Sequence, residues 1–201
     1  MNYEENQAFM NAVESANQCL VWDSYPVPIK EIIEDDPNVI LMTFAEASQA
    51  MGLSRAKLME LGKSKEAFHI KKGNKKVIIY NSLKQHRRIR FSLAHEYGHV
   101  VLNHKGKTLN DEFSSQPVYS KKEYEADTFA SCLLFPLHKR LEFKNKSSYE
   151  IANAFDISFR AVGVSMSIIE KHVNSGLCEH LSVYAHRKRD SYINYLREIC
   201  N

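Results

Sequence analysis

The chain reads as an α+β protein, with a small antiparallel or mixed sheet, a long helix behind it and a helical C-terminal part. Three observations predict this. Seven glycines and five prolines in 201 residues are few, which favours a helix-rich chain over a turn-rich sandwich or barrel. Apolar residues recur at helical spacing through most of the sequence. One pair of β-rich arms, Ala67-Phe68-His69-Ile70 and Val77-Ile78-Ile79-Tyr80, flanks residues 71–76 with Gly73-Asn74 at the centre, the pattern of a hairpin.

Composition narrows the function classes. Hydrophobic residues at 44% and charged residues at 25% are ordinary globular values, so the chain can bury a core. A net charge of +3 and a pI near 8.6 permit contact with nucleic acid without arguing for it. No apolar run reaches the length of a membrane span, and residues 1–7 carry two glutamates and no signal-like apolar core, so a cytoplasmic location is expected. Cys19, Cys132, Cys178 and Cys200 form no C-x-x-C pair and are expected to be free thiols, Cys132 within the core.

The elements follow in order. Phe9, Val13, Ala16 and Leu20 mark an amphipathic helix that ends before Pro26 and Pro28. Residues 29–33 suggest a short helical turn stopped at Asp36-Pro37, and Val39-Ile40-Leu41-Met42 is of strand length. Residues 43–61 predict two short helices broken at Gly52-Leu53-Ser54; a helix-turn-helix has this rhythm, but the degenerate pattern favours two helices packed on a sheet. After the hairpin, Ser82 is the expected N-cap of the long helix, whose basic start (His86, Arg87, Arg88, Arg90) is read as a solvated face. Residues 105–122 are polar and predict a loop of the length that often forms a lid or substrate rim. Helix resumes at Lys122 and stops at Pro136. A basic linker over residues 139–148, a helix pair around Asp156-Ile157-Ser158 and a last helix bearing Tyr192, Tyr195, Leu196 and Ile199 complete the chain.

Chemistry gathers at His95-Glu96-Tyr97-Gly98-His99, an H-E-x-x-H sequence within that long helix. Helical residues four apart project from one face, so the two imidazoles can share a zinc ion while Glu96 takes a proton from water. Catalytic zinc takes three protein ligands, and Glu123 is the best downstream third. Asp127 lies one turn beyond it, where it can accept a hydrogen bond from a ligand histidine and fix its tautomer, whereas Glu125 is rotated to another face. Val77, Ile78, Ile79 and Tyr80 are candidates for an edge strand on which an extended peptide pairs. Tyr119 and His104 are candidates to hold an oxyanion only through their nearness in sequence; His104 as a fourth ligand is disfavoured, because a continuing helix would turn it away from His99.

Arg90-Phe91-Ser92-Leu93-Ala94-His95-Glu96-Tyr97-Gly98-His99, then Glu123-x-Glu125-Ala126-Asp127-x-Phe129-Ala130, then Leu133-Leu134-Phe135-Pro136, resembles the ImmA/IrrE family of metallopeptidases. The resemblance is close over residues 77–136 and extends loosely to about Lys171. It departs at Asp127, where the family usually has asparagine, and aspartate can accept the same hydrogen bond. The resemblance implies a zincin-like fold, zinc (or manganese) held by His95, His99 and Glu123, and Glu96 as catalytic base. It further implies an endopeptidase that cleaves a helix-turn-helix repressor and so regulates a phage, mobile element or stress operon.

On this reading residues 1–37 are a helical extension, 38–138 the peptidase domain and 139–201 a helical subdomain. Residues 151–162 also have a helix-turn-helix rhythm. Beyond Arg160, though, the second helix offers little that could read bases, so packing or a protein partner is favoured over direct DNA contact. Cys178, His180 and His186 match no zinc module. The alternative from another class is a non-catalytic, metal-containing regulator acting through DNA or partner binding; Glu96 argues against it, since a scaffold needs no acid beside its ligands.

Overall fold

Alternation along two short strands organises the larger part of this fold. The computed structural model describes residues 3–20, 24–104 and 120–174. In chain order the elements are α1 (Tyr3–Gln18), α2 (Ile29–Glu34), β1 (Val39–Thr43), α3 (Phe44–Met51), α4 (Arg55–Gly62), β2 (Ala67–Lys72), β3 (Lys75–Tyr80), α5 (His86–Val101), α6 (Lys121–Leu134), α7 (Leu137–Glu142), α8 (Ser148–Phe155) and α9 (Phe159–Asn174). They fall into two compact units, Pro28–Ala130 and Met1–Val27 with Ser131–Asn201, the boundary lying within α6.

In the Pro28–Ala130 unit, β1, β3 and β2 form a mixed sheet in that order, β1 parallel and β2 antiparallel to β3. This is the small sheet of an α+β protein. The hairpin joins β2 to β3 through Gly73-Asn74, and positive φ is confined to Gly73 (+62°), as a type II′ turn requires. One expectation is corrected here. Val77, Ile78, Ile79 and Tyr80 lie on the central strand, where β1 and β2 use the ladder groups on both sides, so they form no free edge. The edges among the described residues are β1 and β2.

Phe68 and Ile70 of β2 and Val77 and Ile79 of β3 share one face and pack with Phe44, Ala47 and Leu58 of α3 and α4. Residues 43–61 thus form two helices packed on a sheet. Local chemistry sets their ends: Thr43 and Glu46 form a reciprocal capping box, Gly52 closes α3 at φ +64°, and the Ser54 hydroxyl accepts from the Lys57 amide. By the period of two, His69 and its cross-strand partner Ile78 point to the opposite face.

α5 begins at His86 rather than after Ser82. The Asn81 side chain accepts from the Leu83 amide and its carbonyl accepts from Lys84, so these residues are spent in a turn. The basic start is not uniformly solvated either: Arg88 pairs with Glu66, and Arg90 is buried.

In the other unit α1 buries Phe9, Val13 and Ala16, as their spacing predicts. Lys139 and Arg140, expected in a linker, lie on α7. The Arg140 guanidinium is buried and donates to the carbonyls of Phe135, Ser131 and Ser165, the hydrogen bonds a buried charge needs. Phe155 of α8 packs on Phe135, Phe143 and Tyr25 with ring centroids 4.5, 5.1 and 5.2 Å away, and Ile151, Ile157 and Val162 are buried, so this helix pair serves packing in its own unit. Most of the expected loop over residues 105–122, including Tyr119, lies outside the described residues. So do Cys178, His180, His186, Cys200 and the last helix. Among the described residues no helix is long and apolar enough to cross a membrane.

Gly62 tests the packing of α4 on the sheet, because a Cβ there would run into the Phe68 ring. Gly62→Ala should lower the unfolding free energy by about 1–3 kcal/mol, read as a reduced urea midpoint. An unchanged midpoint would show that Phe68 moves aside freely.

Candidate metal centre

His95 and His99 stand four residues apart on α5, so one helical turn brings their rings together. Their Nε2 atoms are 3.1 Å apart. Glu123, in the first turn of α6, reaches both: one carboxylate oxygen is 3.3 Å from His95 Nε2 and the other 3.6 Å from His99 Nε2. Ligand atoms from these three residues all lie within 4.8 Å of one another. Asp127, one turn on along α6, accepts from His95 Nδ1 at 2.8 Å.

His99 is supported differently. Its Nδ1 lies 2.9 Å from Nδ1 of His104, whose Nε2 lies 3.0 Å from a Glu125 carboxylate oxygen. His104 is buried. Helical extrapolation from His99 turns it away, but the helix stops. Asn103 adopts φ +53°, the Asn103 amide donates to the Val100 carbonyl, and the His104 amide donates to the His99 carbonyl. This is a Schellman closure with asparagine in the left-handed position, and it folds His104 back against the ring it follows. His104 therefore contacts His99 on the side away from Glu123 rather than standing as a fourth member of the cluster. Glu125, on another face of α6 from Glu123, meets His104 there.

Glu96 accepts from His69 Nδ1 at 2.7 Å; the His69 side chain is buried and that of Glu96 is largely enclosed. The His69 ring stacks on His99 with centroids 5.3 Å apart. Sequence reasoning missed His69; the available signal was a histidine at the helix-facing position of a strand whose neighbours Phe68 and Ile70 are core. A cavity of about 420 Å³ opens beside the cluster, lined by residues 63–67, Phe91, Ser92, His95, Glu96 and Asp127. None of Val77, Ile78, Ile79 and Tyr80 lines it; the chain entering β2 does.

Electrostatics suit a cation at this point. Burial alone would lower the His95 pKa, but hydrogen bonds to Asp127 and Glu123 and the charge of Glu96 outweigh it and raise it to about 10. The hydrogen bond from His95 and the positive charge of that ring hold the Glu123 carboxyl far below the usual range. Burial works to raise the Glu96 carboxyl, yet the His69 hydrogen bond and the three neighbouring histidines keep it low, so it is a carboxylate at neutral pH. Two imidazole nitrogens and a carboxylate converging on one point, with a proton retained among them, are a donor set that fits a divalent metal. The metal must displace that proton. Between about pH 6 and 8 its apparent affinity should therefore rise about tenfold per pH unit, because His95 titrates only near pH 10. Zinc titrations against a competing chelator at several pH values measure this, and a flat profile would show that no such proton is held.

The geometry can be set beside known proteins. A family model described as the IrrE N-terminal-like domain of the M78 peptidases matches residues 55–167. The match begins well before the motifs around α5, taking in α4 and the hairpin that carries His69. No curated protein matches the chain. With more than half of its length matched, the chain belongs to the IrrE N-terminal-like family, a family of metallopeptidases.

Proposed function

We propose that this protein is a zinc-dependent endopeptidase. His95, His99 and Glu123 would hold the metal, Asp127 would orient His95, and Glu96 would act as general base. Two imidazoles and one carboxylate are a common catalytic zinc set, and manganese could occupy the same donors. Bound there, the metal supplies a Lewis acid that acidifies water and polarises a carbonyl.

The observation that carries the reading is the placement of Glu96. Its carboxylate is adjacent in sequence to His95, largely enclosed at 13% exposure, and hydrogen-bonded to His69 at 2.7 Å, a contact that favours its ionised form. From that position Glu96 takes the proton of the attacking water and returns it to the leaving amine. A regulator that used the metal only as a scaffold would gain nothing from a carboxylate held there.

The substrate is a protein segment. β2 has an unpaired edge among the described residues, and the cavity beside Glu96 opens where the chain enters that strand, which supports an extended peptide lying along β2 rather than β3. The family resemblance supports a helix-turn-helix repressor as that protein, whose cleavage would derepress a phage, mobile element or stress operon.

Glu96→Gln should keep zinc binding and lose about 10²–10⁴-fold in cleavage rate. Cleavage by this variant at the normal rate removes Glu96 from the mechanism. Incubation of the zinc-loaded protein with the helix-turn-helix protein encoded by a neighbouring gene, followed by mass spectrometry of the products, tests the substrate; an intact repressor rejects that part of the reading.

A further inference from the structure

We propose that Glu125 and His104 are positioning residues that set the tautomer of His99 and thereby prepare the cluster for metal capture. The inference rests on the reading of His95, His99 and Glu123 as ligands.

The argument is one of counting protons along a chain of contacts. The side chains of His104 and His99 are buried, at 8% exposure each, and that of Glu125 is nearly so at 12%, so water offers little competition. A carboxylate only accepts. The ring nitrogen facing Glu125 at 3.0 Å, Nε2 of His104, therefore carries hydrogen. A neutral imidazole has one N–H, so His104 Nδ1 is left as an acceptor. It faces His99 Nδ1 at 2.9 Å, which must then be the donor. With its hydrogen at Nδ1, His99 presents a bare lone pair at Nε2, on the side of His95 and Glu123.

The opposite order fails at Glu125 and closes the metal face at His99. Hydrogen on His104 Nδ1 would set its bare Nε2 against the Glu125 carboxylate, acceptor against acceptor. The hydrogen of His99 would move to Nε2 and block the position that a metal needs. Glu125 thus decides the direction of the whole chain from two rings away.

The two histidines are consequently wired by different routes. His95 is set directly by Asp127, while His99 is set through an intervening imidazole. Both carboxylates come from α6, which also supplies Glu123. The Schellman turn after α5 makes the second route available, and Lys76 steadies it by donating to the His104 carbonyl at 3.2 Å.

The test uses the full chain, with zinc ion alone as the probe. Imidazole ¹⁵N shifts of the metal-free wild type at fixed pH should show His104 as the Nε2–H tautomer and His99 as the Nδ1–H tautomer. Glu125→Ala should lose this preference and weaken zinc binding by about 10–100-fold. Glu125→Gln, whose amide oxygen still accepts from His104, should recover most of both. Thermal unfolding of each variant identifies loss of fold, and the wild-type spectrum needs no variant. Hydrogen on His104 Nδ1 in the wild type, or wild-type zinc affinity in Glu125→Ala, overturns the proposal. Correct tautomers in a wild type that binds no zinc would instead reject the ligand reading and leave the proton order standing.

Discussion

An imidazole can face a cation with only one nitrogen, and what sits behind the other nitrogen decides whether that face is free. The rest of this site depends on that constraint. Asp127 stands behind His95 and His104 behind His99, so the two Nε2 atoms can meet Glu123 from one side. The arrangement asks three things of the fold. α5 must keep helical periodicity from His95 to His99, it must end soon afterwards so that His104 can return, and α6 must run beside it. A single turn of α6 then provides a carboxylate to the cluster and one to each supporting route.

The sheet contributes through one strand. β2 presents Phe68 and Ile70 to the core beneath α3 and α4, and His69 to Glu96 on the other face. Because strand side chains alternate strictly, a register slip of one residue would bury the histidine in that core and turn the phenylalanine toward α5. Core packing therefore fixes the partner of Glu96. The cost of misplacing Phe68 and the placement of His69 are one constraint, and this couples the stability of the sheet to the geometry of the site.

Much of the site was legible in the sequence because it obeys rules that act within one helix. His95 with His99, and Glu123 with Asp127, are pairs four residues apart, and helical geometry alone puts each pair on one face. The hairpin was legible for a similar reason, since Gly73 occupies a turn position that demands positive φ. His104 was not legible by that rule. Helical spacing assumes a helix continuing past His99, whereas Asn103 ends the helix in a left-handed conformation and reverses the direction of the next side chain. Arg140 is hidden from the local pattern likewise: a basic stretch predicts a linker, whereas three carbonyls surround its guanidinium on α7.

The amino-acid sequence by itself determined the α+β class, the family motifs, the two histidines and the carboxylates of α6, because propensity, turn chemistry and helical spacing operate over a few residues. Only the tertiary structure decided that β3 lies in the middle of the sheet, leaving β2 as the edge beside Glu96 among the described residues. It also decided that His69 meets a carboxylate 27 residues away, and that Glu125 reaches His99 through His104. These are choices of partner between distant segments, and burial and pairing across the fold make them rather than the local period of the chain.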